Sequence, residues 1–100
     1  MLPKETEHLD VTILIVDDDP SIIVTTSKAL NGLGKIIFAT NGLDALMLAE
    51  TKLPDVILLD AEMPDMDGFE VCAHLKQKAE TAHIPIIFIT SHTGSDFEMK

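Results

Sequence analysis

Four short runs of β-branched and aliphatic residues punctuate the chain: Val11 to Val16, Lys35 to Ala39, Asp55 to Leu59 and Ile84 to Thr90. Their apolar positions are nearly continuous instead of alternating. That is the pattern of strands buried on both faces, and it predicts a parallel sheet covered by helices on either side. The intervening segments carry helical spacing. Asp19-Pro20 supplies a capping carboxylate followed by proline at the first helical position, which predicts a helix to about Leu30 with Ile22, Ile23, Ala29 and Leu30 on one face. Ile22 to Thr26 are poor helix formers, so packing has to override propensity there. Asn31-Gly32 and Gly34 then stop the helix, and the Gly-Leu-Gly at this point reads as a helix terminus, not a dinucleotide fingerprint.

A second helix is expected from Gly42 to about Thr51 with Leu43, Leu46 and Met47 inward, before Pro54 marks the next strand. A third should follow Asp67-Gly68 and carry Phe69, Cys72 and Leu75 at three-residue intervals, with Phe69 and Cys72 in the core. A fourth is expected near Ser95. Strands alternating with helices over short links are the signature of right-handed βαβ crossovers, so the fold class is α/β with a doubly wound parallel sheet.

With 100 residues and 46% apolar content, the chain can hold one domain and one core. Residues 1–10 are polar and mixed in charge, read as a flexible N-terminal tail without the apolar core of a signal peptide. No later run approaches membrane-spanning length. The formal net charge of -10 argues against nucleic acid or an anionic membrane as partner, since either needs clustered Lys and Arg. The single cysteine, Cys72, cannot form an internal disulfide, and no Cys/His set has zinc spacing. A cytoplasmic setting fits.

In open parallel sheets, ligands sit outside the carboxyl ends of the strands, near the point where strand order reverses. The first strand delivers Asp17 and Asp18 there, the third delivers Asp60, and the fourth delivers Thr90 and Ser91. Asp19 is explained as a helix cap, and Asp65 and Asp67 as turn residues ahead of Gly68. Asp17, Asp18 and Asp60 have no such explanation. Two like charges about 5 Å apart repel by roughly 3 kcal/mol at an effective dielectric near 20, so convergent carboxylates need a proton or a cation. Mg2+ is the natural one, a hard ion that combines one or two carboxylates with waters and a phosphate oxygen. A calcium loop around Asp65-Met66-Asp67-Gly68 fails, because its first position would be Met63 and its twelfth His74. His8, His74 and His83 read as surface or helix-end residues, while His92 follows the fourth strand and could line the pocket.

Four motifs together resemble the receiver domain of two-component response regulators. They are Ile13-Leu14-Ile15-Val16-Asp17-Asp18-Asp19, Ala39-Thr40-Asn41-Gly42-Leu43-Asp44-Ala45-Leu46, Leu58-Leu59-Asp60-Ala61-Glu62-Met63-Pro64-Asp65-Met66-Asp67-Gly68, and Pro85-Ile86-Ile87-Phe88-Ile89-Thr90. The resemblance covers residues 11–100 and implies a flavodoxin-like sheet with strand order 2-1-3-4. It implies that Asp60 accepts a phosphoryl group from a sensor histidine kinase or histidine phosphotransfer protein. Asp17, Asp18 and Asp60 would hold Mg2+ together with the backbone carbonyl of Glu62, and Thr90 would be the switch hydroxyl. Such a domain is a phosphoacceptor that assists its own phosphotransfer and dephosphorylation, not a turnover enzyme, and it regulates an output domain or protein target.

The family also carries a Lys at the end of a fifth strand, an aromatic switch residue on that strand and a covering fifth helix. None has a counterpart here, and Lys100 does not match the Lys position. Residues 11–100 are therefore read as a receiver domain lacking its C-terminal strand and helix. The apolar fourth strand would then lie at an open edge, which invites a homodimer through that edge. Two other readings are open: a receiver-like interaction module that is not phosphorylated, and a haloacid dehalogenase-type phosphatase, whose nucleophile motif Asp17-x-Asp19-x-Ser21 resembles.

Overall fold

The computed structural model describes residues 11–89. The expected tail at residues 1–10, the fourth helix near Ser95, and Thr90, Ser91, His92 and Lys100 lie outside the described residues. Within them the order is β1 (Thr12–Val16), α1 (Pro20–Ala29), β2 (Lys35–Ala39), α2 (Gly42–Lys52), β3 (Val56–Asp60), α3 (Gly68–Lys76) and β4 (Ile86–Ile89). The four strands form one parallel sheet in the order β2-β1-β3-β4. The reversal of direction between β2 and β3, on either side of β1, creates the switch point the sequence implied.

Each helix begins at a built cap. Asp19 accepts the Ser21 amide ahead of Pro20, Asn41 accepts the Asp44 amide, and Asp67 forms a reciprocal capping box with Glu70. The sheet's two faces are covered unequally. Ile13 and Ile15 meet Ile23 of α1, with Leu30, Ile36, Val56 and Leu58 packed around them. The opposite face carries the larger core, in which Leu14, Val16, Ile57 and Leu59 meet Ala45 and Ala49 of α2 and Val71 and Leu75 of α3.

The inward faces of two helices differ from the sequence expectation. In α2, Leu43 and Met47 are largely exposed, and the contact stripe is Gly42, Ala45, Leu46 and Ala49. In α3, Phe69 is 63% exposed and the stripe is Gly68, Val71, Cys72 and Leu75. Both stripes follow i, i+3, i+4, i+7 from a leading glycine, which is the spacing of one helical face. Gly68 lies where α3 meets the backbone of Asp60 and Ala61, and the bulkier Leu43, Met47 and Phe69 face outward. Phe69 stacks instead on Phe88 of β4, with ring centroids 4.8 Å apart. In α1, Ala29 is exposed and Ile23 alone is buried.

The fourth strand also starts later than its apolar run. Ile84 is buried ahead of the strand, in a turn closed by the Thr81 hydroxyl donating to the Leu75 carbonyl and by the Lys76 ammonium donating to the Ala82 and Ile84 carbonyls. Asp55 precedes β3, where its carboxylate accepts the Thr12 amide at 2.8 Å.

Candidate functional site

The site forms where β1 and β3 end side by side. Val16 is level with Leu59 in the parallel register, so the next residues, Asp17 and Asp60, emerge together. The Asp17 amide donates to the Ala39 carbonyl at the end of β2, and the Ala61 amide donates to the Ile89 carbonyl at the end of β4. The backbone beneath the acids is thus pinned across all four strands.

Asp17, Asp18 and Asp60 each place a carboxylate oxygen within 4.8 Å of the other two. Asp17 and Asp60 are fully buried, whereas Asp18 is exposed and forms the outer wall. One oxygen of each buried acid is held by the chain. The Asp19 amide donates to Asp17 Oδ1 at 2.9 Å, and the Glu62 amide donates to Asp60 Oδ1 at 3.1 Å. The other oxygen, Oδ2 in both cases, is buried without a hydrogen-bond partner.

Burial pushes the Asp60 carboxyl up to about 6, against the Glu62 amide and reinforced by the charges of Asp17 and Asp18. Burial likewise raises Asp17, with the Asp19 amide opposing and the neighbouring acids adding to it. Ionised carboxylates have no donor to offer one another, so a hydrogen bond inside the triad exists only in states that retain a proton. Above those states two buried anionic oxygens are left unsatisfied, an arrangement that costs free energy unless a cation enters. An all-oxygen, acidic donor set with orphaned buried oxygens fits a hard divalent ion of the Mg2+ or Mn2+ class.

The remaining candidates fall in different places. Asp19 stands outside the triad. Its carboxylate is held low by the Ser21 hydroxyl and amide, which donate at 2.7 and 2.9 Å, so it caps α1. The Glu62 side chain is exposed while its amide holds Asp60. His74 and His83 are exposed, as expected of surface residues. Thr90 and His92 lie outside the described residues.

Two contributors were not singled out from sequence. Gly68 brings the start of α3 so close to β3 that an added Cβ would lie 2.9 Å from the Ala61 Cα and nearer still to the Asp60 carbonyl. Its amide donates to the Ala61 carbonyl at 3.0 Å, closing the segment 61–67 behind Asp60. Met63, 8% exposed, anchors that segment in the main core. The Asp67-Gly68 pair was a visible turn signal, but turn chemistry alone does not reveal a close approach.

Comparison with known proteins agrees with this geometry. The response regulator receiver domain family matches residues 13–100. A probable cyclic di-GMP phosphodiesterase of Vibrio cholerae serotype O1 is 40% identical over 87 residues, a match that takes in 87% of this chain and 20% of that protein. The chain therefore spans about a fifth of the length of that curated relative. Among solved structures, the N-terminal domain of a response regulator receiver protein from Methanoculleus marisnigri JR1 superposes with a TM-score of 0.77 at 34% identity, covering 85% of this chain and 72% of that one. The Mn2+-bound form of the response regulator Rcp1 superposes with a TM-score of 0.71 at 30% identity, covering 86% and 70%.

Proposed function

The chain belongs to the response regulator receiver domain family, and from that premise we propose that Asp60 is its phosphoacceptor, charged by a sensor histidine kinase or a histidine phosphotransfer protein. The observation that carries this reading is the buried Asp60 carboxylate, with one oxygen fixed by the Glu62 amide and the other unpartnered beside Asp17 and Asp18. Its family counterparts and the Mn2+-bound Rcp1 support it by analogy.

In the proposed reaction, an Asp60 carboxylate oxygen attacks the phosphorus of a phosphohistidine. The new O–P bond forms as the N–P bond breaks, its electron pair returns to the imidazole, and the product is an acyl phosphate. The nucleophile must be ionised, and a carboxyl raised to about 6 is mostly so at neutral pH. The Glu62 amide fixes the plane of the carboxylate, and burial keeps bulk water from the reacting face. Asp17, Asp18, Asp60 and the Glu62 backbone carbonyl would hold a divalent cation, Mg2+ foremost. When bound, that cation supplies positive charge against the three carboxylates and the incoming phosphoryl oxygens.

Phosphorylation replaces the single negative charge of the Asp60 carboxylate with an acyl phosphate carrying roughly -1.5 to -2 and three strong acceptor oxygens, enough to draw a hydroxyl toward it and tilt a two-state equilibrium. Thr90 is the proposed hydroxyl, and an output domain or protein target would read the change. The domain is a substrate of phosphotransfer that assists its own turnover. A cytoplasmic setting goes with the receiver-domain reading. Among the described residues, no helix is long and apolar enough to cross a membrane.

The test is intact-mass analysis after incubation with a small-molecule phosphodonor and Mg2+. The reading expects a single phosphoryl adduct that requires the metal and disappears in Asp60→Asn. An adduct that persists in Asp60→Asn, or no adduct from any phosphodonor, overturns it.

A further inference from the structure

Gly42 opens α2 with helical geometry, and Gly32 is the one glycine with positive φ among the described residues. Backbone conformation therefore does not demand glycine at position 42, and glycine is a weak helix former. Space does demand it. A Cβ on Gly42 would stand 2.8 Å from both the Cβ and the Sδ of Met66 and 3.0 Å from its Cγ. The Met66 side chain thus fills the place where any other residue at position 42 would put its first carbon.

Met66 belongs to the segment 61–67, whose Glu62 amide fixes the Asp60 carboxylate. The segment is tied at its ends: the Ala61 amide donates to the Ile89 carbonyl, Gly68 closes the loop through its bond to Ala61, and Asp67 forms the capping box with Glu70 of α3. Met63 plugs into the core, and Met66 packs against it from the α2 side. With Met63 in the core and Asp67 tied to α3, the seat of Met66 on Gly42 is the contact that sets how the segment stands against α2.

We propose that Met66, seated against Gly42, is a positioning residue for phosphotransfer: it fixes the segment 61–67 and, through the Glu62 amide, the orientation of the Asp60 carboxylate. Met66 touches neither phosphoryl group nor cation in this scheme. It acts through the backbone, so its loss loosens the nucleophile without removing a reacting group. The proposal rests on the phosphoacceptor reading and adds to it the contact that holds the acceptor in register.

The experiment compares the full chain with Met66→Ala, Met66→Leu and Gly42→Ala. The phosphorylation rate is measured with a small-molecule phosphodonor at saturating Mg2+, normalised to the folded fraction, and the Glu62 amide resonance is followed by NMR. Met66→Ala and Gly42→Ala, which disturb the contact from opposite sides, are expected to slow phosphorylation by on the order of tenfold, the scale on which small misplacements act. Both should shift the Glu62 amide resonance. Met66→Leu, which conserves volume, should stay within about threefold of the parent. If Met66→Ala does not fold, Gly42→Ala alone decides, because the better helix former is expected to lower the rate. Folded Met66→Ala or Gly42→Ala protein with the parental rate and an unmoved Glu62 amide overturns the proposal. Failure of the parent chain itself to take phosphate would instead count against the phosphoacceptor reading, while the Glu62 resonance still reports whether Met66 sets that amide.

Discussion

Asp17 and Asp60 stand at the ends of adjacent parallel strands and each buries its Oδ2 without a hydrogen-bond partner. The pair therefore stores unfavourable electrostatic free energy whenever both are ionised without a counter-charge. Every functional statement about the site follows from how that cost is relieved: by a proton, by a cation or by removing one charge.

The proton comes first. Burial raises Asp60 from 3.8 to about 6 and raises Asp17 as well, so the folded state binds protons more tightly than the unfolded chain. Their contribution to stability is then complete below about 4 and is lost as pH rises through about 6. Asp19 is shifted the opposite way, so the difference between parent and Asp60→Asn isolates the effect. In metal-free buffer, Asp60→Asn should be the more stable protein at neutral pH by roughly 1–3 kcal/mol, the scale of unpaired buried charges and orphaned polar groups. The advantage should shrink toward pH 4. Urea unfolding of both proteins across that range provides the check.

A cation relieves the same cost and adds binding free energy. Mg2+ or Mn2+ should raise the melting temperature of the parent chain, with about 2.7 kcal/mol of stabilisation at a hundredfold excess over the dissociation constant. Asp17→Asn and Asp18→Asn should reduce the response, and Asp17→Asn more so because its carboxylate is buried. Thermal unfolding with and without the ion, and after chelation, measures it.

Gly68 yields a prediction opposite in sign to helix propensity. Alanine at a helix start is favoured over glycine by up to about 1 kcal/mol, yet here its Cβ meets backbone atoms of Asp60 and Ala61 that cannot turn aside. Gly68→Ala should therefore destabilise by about 1–3 kcal/mol. Because the displaced atoms flank Asp60, cation affinity should fall as well. Chemical denaturation and a Mn2+ titration of this variant read the two effects separately.

The strands, their order by family likeness, and the triad Asp17, Asp18 and Asp60 are legible in the sequence. Continuous apolar runs mark buried parallel strands, and the acids fall at their carboxyl ends, where the topology admits ligands. The helix faces were less legible. Ranking by hydrophobicity turns Leu43, Met47 and Phe69 inward, whereas the buried positions are Gly42, Ala45, Ala49, Gly68 and Val71, with a close approach to β3 shown at Gly68. Ile84 reads as part of β4 for the same reason, its apolar character, although a turn buries it ahead of the strand. Contacts such as Met66 on Gly42 and Gly68 on Asp60 join residues far apart or on different elements, and no local pattern encodes them.

The most direct test of the account is the location of a bound cation. In crystals of the chain soaked with Mn2+, anomalous scattering should place one ion roughly 2.0–2.3 Å from carboxylate oxygens of Asp17 and Asp60, with Asp18 facing it. A well-occupied ion elsewhere, or a triad that stays empty while Asp60 pairs with a cationic side chain, would contradict the shared site on which the proposed chemistry depends.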